Sequence, residues 1–401
     1  MESRFLYEFV FESTPDIINF TGKPLKNYTK VLFYDSLFEF FPTLEVNFTD
    51  PHGVIPDQTN FIQDLEFKAK LGNAQDGYIG GQYIWFQHEF NDVTIEEFFS
   101  GSNIFLLSHA LVDKEKEQNR SWNDTIKNVI TDIATNDYSI PVVDQKISNT
   151  TGMDYWYQSG IKNSLWIQEL SDISYDASRP KKPYYAFINL LNEFYFMSLS
   201  DLFLQEPVNL GDPYVIDQSQ SGIDSPYSIK DYLIQNGGMD INFNLYQLKN
   251  YHTTSSGSSS SEIFKIQDFL YSNGIDKLLL RSAYDRPGTI NYTNIIETTQ
   301  DKYNKQGLIN SIYRDSALSY RMGITIPFNP KVASGKIIEL KTSSAFESKA
   351  MAKEYSGKWL VLNSMHHIND DGIVFSRLTL AKSTMYVDNI HPLKNDFTTV
   401  A

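Results

Sequence analysis

Residues 356–380 constrain the chain more than any other stretch. Gly357-Lys358-Trp359-Leu360-Val361-Leu362-Asn363-Ser364-Met365-His366-His367-Ile368 and Ile373-Val374-Phe375-Ser376-Arg377-Leu378-Thr379-Leu380 are rich in apolar and β-branched residues, with Asp371-Gly372 between them. Such runs favour extended, half-buried backbone. A two-residue type I′ turn needs positive φ at both central positions, which Gly adopts at little cost and Asp tolerates. The stretch therefore predicts a long antiparallel hairpin in which Ile368 faces Phe375 and Met365 faces Leu378.

Length and composition bound the rest. A chain of 401 residues is too long for one compact core, which predicts about two to four domains. Aromatics make up 14% of it, with 25 Tyr and 27 Phe, a richness that favours β-structure and broad contact surfaces. No apolar run is long enough to span a bilayer, and Met1-Glu2-Ser3-Arg4-Phe5 lacks a basic region leading into an apolar signal core. The expectation is a protein kept in a cytoplasm or built into a particle there, with no membrane insertion. The chain has no cysteine, so disulfides, thiolate nucleophiles and cysteine zinc sites are excluded. A formal net charge of −15 argues against wrapping nucleic acid and for a surface that repels it.

Along the chain, Lys30–Tyr34, Thr43–Thr49, Leu65–Leu71, Tyr83–Phe86 and Asn103–Leu107 read as short strands, with Asp35–Pro42 as a connection. Together they predict a small antiparallel barrel over 1–112. Lys114-Glu115-Lys116-Glu117 then reads as a charged linker. Ser121 reads as the cap of a helix carrying Trp122, Ile126, Val129, Ile130 and Ile133 at helical spacing. A second helix is expected over 163–175, followed by a hairpin of Tyr184–Ile188 and Phe194–Met197 around Asn192-Glu193. This makes 113–207 an α+β unit. Irregular strands follow in 227–248. The serine-rich tract 253–261 opens an insertion over 253–301 with a flexible loop. Lys305–Arg321 reads as a helix, and Ile324-Thr325-Ile326-Pro327-Phe328 starts a further strand region, with Pro327 at an edge or bulge. Residues 208–252 and 302–390 thus group as a second strand region, which the family resemblance given below makes a second barrel, with 391–401 as a tail. The expected class is α+β, mainly β. A faint repeat links the two strand regions: Leu44–Pro51 echoes Ile324–Pro330, and Asp64–Lys68 echoes Ile337–Lys341, an echo that two generic strand–turn–strand units also give.

The wording of the closing hairpin, glycine and tryptophan before Leu360-Val361, then His366/His367, Ile368, Asp371-Gly372 and Leu378-Thr379-Leu380, resembles the last hairpin of the central baseplate hub protein of contractile-tailed, T-even type bacteriophages. Asp124-Thr125-Ile126-Lys127, Trp166-Ile167-Gln168-Glu169-Leu170 and Gln205-Glu206-Pro207 are similar to further marks of that family, in its order. The resemblance implies two similar barrels per chain in a homotrimer, a pseudo-six-fold ring that adapts a hexameric tail tube to a trimeric central spike. It also implies surrounding baseplate wedge proteins as partners, a place in the virion tail, and a lumen through which genomic DNA passes without specific binding.

No residue pattern predicts catalysis, a cofactor or a metal. His366 and His367 are neighbours on a strand and point to opposite faces, so they do not chelate together, even with Asp370 and Asp371 near. Gly77-Tyr78-Ile79-Gly80-Gly81 lacks the spacing of a phosphate loop, and Gly257 lies in the serine tract rather than in a nucleophile elbow. Glu193 and Asp201 form a carboxylate pair only on spacing-free grounds. The sequence thus predicts a structural hub, not an enzyme. A tail-associated cell-wall hydrolase and a host-recognition β-module are the alternatives.

Overall fold

The computed structural model describes residues 6–11, 28–49, 66–73, 77–79, 84–90, 102–109, 111, 114–178, 183–216, 231–236, 261–265, 289–293, 310, 318, 320–342, 355–368 and 374–382. Strands dominate. The first seven are β1 (Leu6–Phe11), β2 (Tyr28–Ser36), β3 (Thr43–Thr49), β4 (Glu66–Asn73), β5 (Gly77–Ile79), β6 (Ile84–Phe90) and β7 (Ser102–His109). An α+β unit follows. It comprises β8 (Glu117–Thr125), α1 (Ile126–Asp132, continued by a π-helical turn to Asp137), β9 (Met153–Lys162), α2 (Asn163–Ile173), β10 (Tyr184–Ile188), β11 (Phe194–Ser198) and α3 (Leu199–Leu204). The remainder holds β12 (Tyr214–Ile216), β13 (Asp231–Asn236), the antiparallel pair β14 (Ser261–Lys265) and β15 (Thr289–Thr293), β16 (Tyr320–Pro327), β17 (Ile337–Thr342), β18 (Gly357–Ile368) and β19 (Val374–Lys382).

Period-two burial explains the strands. Val31, Phe33 and Asp35 of β2 point inward, as do Met322, Ile324 and Ile326 of β16, while Arg321, Gly323 and Thr325 lie half-buried between them. In β18 the first half is buried on both faces from Trp359 to Leu362; beyond it the burial alternates, with Ser364, His366 and Ile368 inward. Pro327 is the last residue of β16 and pairs only with Phe375, past the end of the β13 ladder. There its missing N–H costs little.

The faint sequence repeat is a topological repeat. Taken across the sheet, the first set runs β2-β3-β7-β6-β4-β1, and the second runs β13-β16-β19-β18-β17-β12. Matched in chain order, the two paths are the same: β1 with β12, β2 with β13, β3 with β16, β4 with β17, β6 with β18 and β7 with β19. The echoed segments fall on β3 and β16 and on β4 and β17. One difference breaks the match: β1 pairs β4 antiparallel, whereas β12 pairs β17 parallel. The sets share one continuous 13-stranded sheet, joined where β2 pairs with the second half of β18. Among the described residues neither set closes into a separate barrel.

The α+β unit has its own core. Ile126, Val129, Ile130, Ile133, Ile167, Leu170, Ile188, Phe194 and Phe196 cluster there, and Phe40 and Leu111 join them from the edges of the first repeat. A second core of Met322, Ile324, Ile338, Trp359, Val361 and Leu380 fills the second repeat.

Several expectations need correction. The hairpin register is off by one: Ile368 pairs with Val374 and Met365 with Arg377, leaving five residues between the last pair. Those five residues, Asp371-Gly372 among them, lie outside the described residues. The buried His366 explains the choice, because this register puts Ser376 opposite it and within 2.7 Å of its Nδ1. Ser121 caps no helix; it sits in β8, and Thr125 is the N-cap, its side chain accepting from the Asn128 amide. Lys114–Glu117 is no loose linker, since Glu115 accepts from Tyr138 and Ser164. Asp35 and Ser36, read as connection, belong to β2. The helix expected over 305–321 lies outside the described residues apart from the helical Asn310 and Leu318, which is in a turn, and β16 takes its last two positions. The serine tract is also outside them, except that Ser261 opens β14.

Candidate functional site: the junction of the two repeats

The most concentrated polar constellation lies where β2 meets β18. Asp35 is fully buried on β2. Its carboxylate accepts from the Ser364 hydroxyl of β18 at 2.5 Å, from the Leu190 amide at 2.8 Å and from the Ser334 amide at 3.1 Å. One side chain thus ties the first repeat to the β10–β11 turn of the α+β unit and to the β16–β17 connection of the second repeat. Burial without a cation pushes its carboxyl up to about 6, against which these hydrogen bonds work. Beside it, Ser36 donates to Asn363 at 2.8 Å and the Leu37 amide to Leu362 O at 2.8 Å, extending the join along the strand edge.

His366 continues the network. Its Nε2 lies 3.3 Å from Ser364 Oγ and its Nδ1 2.7 Å from Ser376 Oγ. The Phe328 ring meets it edge-on at 5.3 Å. Complete burial lowers its pKa to about 3, so it stays neutral. Aspartate, serine and histidine in contact invite comparison with a hydrolytic triad, but the order is wrong. A triad places histidine between the other two so that it takes the serine proton. Here Ser364 sits between Asp35 and His366 and donates its hydrogen bond to the carboxylate, and all three side chains are sealed from solvent. The arrangement is a structural clasp.

A second clasp lies close by. Glu193, at the end of the β10–β11 turn, binds Lys146 at 2.7 Å and Lys336 at 2.6 Å and accepts from Tyr195 at 2.8 Å. Burial raises the Glu193 carboxyl, but the two ammonium groups outweigh it and bring it down to about 2. Lys336 comes from the second repeat, so this ion-pair set also spans units. The turn itself needs Asn192 at φ 59°, a conformation asparagine tolerates. Behind it, Gly335 at φ 79° lies so close to the Phe187 ring that a Cβ there would stand 2.4 Å from it.

The residues weighed for chemistry in the sequence do not converge. His366 is buried and His367 half-exposed on the other face, as strand alternation requires. Asp201 accepts from the Ser148 and Ser198 hydroxyls, while Glu193 is held by its two lysines, so the two carboxylates serve different networks. A shallow pocket of about 400 Å³ beside Ser148 and Asp201 has a largely polar lining, including Gln145, Asn149 and Gln205. Gly77–Ile79 form β5, and Gly80, Gly81, Gly257, Asp370 and Asp371 lie outside the described residues. Among the described residues, no group of three or more His, Asp or Glu could hold a metal ion, and no helix is long and apolar enough to cross a membrane. Sequence reasoning missed Asp35 and Ser364. The one available signal was a charged residue placed in register with Val31 and Phe33 on the inward face.

No family model matches the chain, and no curated protein does. Solved structures do. The 43 kDa tail protein of prophage MuSo2 from Shewanella oneidensis superposes with a TM-score of 0.51 at 10% identity, covering 94% of this chain and 98% of that one. A tail protein from Neisseria meningitidis MC58 gives 0.51 at 7% identity, covering 95% and 98%. Over nearly its whole length, the chain has the fold of these two tail proteins.

Proposed function

We propose that the chain is a structural component of a phage tail, and that it acts as the baseplate hub: a homotrimer whose six repeats form a ring with quasi-six-fold symmetry. One observation carries this reading. Two sheets of the same strand order are joined edge to edge within one chain, and the join leaves matching edges open. In the second repeat, β17 takes Gly357–Leu360 of β18 and leaves the later residues for β2. In the first repeat, β4 takes Ile84–Phe86 of β6, and residues 87–90 pair only with β7 among the described residues. The counterpart of β2 is β13, whose outer edge is likewise unpaired among the described residues. Pairing β13 of one chain with β6 of the next repeats the internal join. Three copies close the ring, since a head-to-tail contact closes when its rotation divides the circle.

Such a ring solves a symmetry problem. Its six repeats meet a hexameric tail tube on one side, while the three α+β units, one per chain, keep three-fold symmetry for a trimeric spike. Baseplate wedge proteins surround it, and the tail of the virion is its location. Genomic DNA passes through the lumen without specific binding. The net charge of −15 supports this, because an acidic wall repels the duplex over roughly 8 to 10 Å at physiological salt. No enzymatic step is assigned to the chain. Sedimentation equilibrium of the purified protein tests the reading: three chain masses are expected at high concentration. A chain that stays monomeric at every concentration and with its tail partners contradicts it.

A further inference from the structure

The ribbon of β8 and β9 has two faces of opposite chemistry. Its inward face is pinned by Arg120, Trp122, Trp156 and Gln158. Arg120 donates to Gln158 at 2.9 Å and Asn163 at 2.7 Å, pairs with Asp137, and stacks over Trp122 at 4.7 Å. Trp122 Nε1 donates to Asp132 at 2.9 Å, and Trp156 Nε1 to the Asp124 carbonyl at 2.8 Å. The outward face carries Asn119, Ser121, Asn123 and Thr125 opposite Ser159, Tyr157, Tyr155 and Met153, four pairs without a charge, while Glu117 and Lys162 face each other at its far end. Met153 is 67% exposed, Tyr155 79% and Tyr157 61%. Single apolar side chains on a surface are ordinary; three in a row on alternate positions of one strand are not.

We propose that this outward face is a contact between copies of the chain, which rests on the trimer reading and adds a second surface to its ring. Two arguments select a second copy. The first is charge. Chains that each carry −15 repel one another, so copies meet at least cost where charge is absent, as it is over these four pairs. The second is area. A specific interface buries about 800 Å² per partner. The edge pairing inferred for β13 and β6 involves at most six residues of β13 and falls short of that alone. Exposed tyrosines bury about 150–250 Å² each when covered, so the ribbon supplies on the order of half the requirement. The pinned inner face fixes the rings in advance, which lowers the ordering cost of association. The contact is head-to-tail, with each ribbon meeting a different patch on its neighbour, as a three-fold ring demands.

The test uses the full chain. Wild type and a Tyr155→Ser/Tyr157→Ser variant are sedimented over a concentration series. The variant's assembly midpoint is expected to rise at least about tenfold, with the melting temperature of the dissociated chain unchanged. A second readout exploits the absence of cysteine. A Ser121→Cys thiol is expected to react with iodoacetamide at least about tenfold more slowly in the assembled protein than in the dissociated one. Wild-type assembly by the double variant, or full-speed alkylation within a trimer, overturns the ribbon contact and leaves the trimer standing. A wild-type chain that never assembles overturns both. Protection of the Ser121→Cys thiol in the monomer by a neutral oligosaccharide such as chitohexaose, without protection on assembly, also overturns it, in favour of glycan binding.

Discussion

Asp35 on β2 and Ser364 on β18 stand opposite each other in the strand pair that joins the two repeats, and the serine hydroxyl donates a hydrogen bond to the carboxylate across that pair at 2.5 Å. The join is therefore specified by chemistry as well as by backbone pairing. A strand edge accepts many partners, but a buried carboxylate tolerates few, because a buried acceptor left without a donor costs about 1–3 kcal/mol. With donors arriving from the second repeat and from the α+β unit, Asp35 rejects any register or docking that fails to bring Ser364, Ser334 and Leu190 to it.

The first prediction follows from its titration. The Asp35 carboxyl is raised from its ordinary 3.8 to about 6 in the fold, so the folded chain holds its proton more tightly than the unfolded one. Stability from this group is full below pH 3.8 and is lost as pH rises through 6, a swing of about 3 kcal/mol for two units. Urea unfolding between pH 4.5 and 7 is expected to show wild-type stability falling as pH rises, with Asp35→Asn lacking that share of the slope. An identical slope in the variant would place the titration elsewhere.

Glu193 is expected to act at the other end of the scale. Its carboxyl is held at about 2, so the stability it brings is present above pH 4.5 and is lost as pH falls toward 2. Glu193→Gln removes that acid-limb loss and weakens the fold at pH 7 by about 1–2 kcal/mol, discounted because the side chain is 23% exposed. Acid denaturation followed by circular dichroism checks it. An unchanged acid limb would show that the two lysines contribute nothing.

Gly335→Ala is expected to cost about 2–4 kcal/mol, from the positive φ together with overpacking. The ring it would strike, Phe187, lies stacked on Tyr195 at 4.9 Å and has little room to move. Thermal melting measures the loss. A variant that melts with the wild type would mean the hairpin shifts freely against the second repeat.

Arg120→Lys is expected to cost about 1–2 kcal/mol although it keeps the charge, because lysine lacks the planar fork that serves Gln158, Asn163 and Asp137 together. Chemical denaturation of the full chain tests it. Equal stability would show that the ribbon's inner face is held by packing alone.

How much of this was legible in the sequence depends on where each residue's partners lie. Ile324 and Ile326 announce their strand by alternation, and Ile167 and Leu170 announce α2 by helical spacing, since these patterns are local. The echo between Leu44–Pro51 and Ile324–Pro330 marked the repeat, but only the pairing order shows that the whole six-strand path recurs. β8 was hidden because Trp122 and Ile126 happen to fall at helical spacing, and Gln118-Asn119-Arg120-Ser121 has weak strand preference. It is a strand because Arg120 and Trp122 find partners on β9, α1 and α2. Asp35 looked like the start of a connection because an aspartate ordinarily ends a strand. Its donors come from residues about 150 and 300 positions away, a distance no local pattern spans.

The central claim is the proposed ring of equivalent repeats, and cryo-electron microscopy of the assembled protein tests it most directly. The expected image shows six similar lobes around an open lumen, with three α+β units imposing three-fold symmetry and β13 of each chain against β6 of the next. A closed lumen, or copies that meet without alternating first and second repeats, would contradict the account.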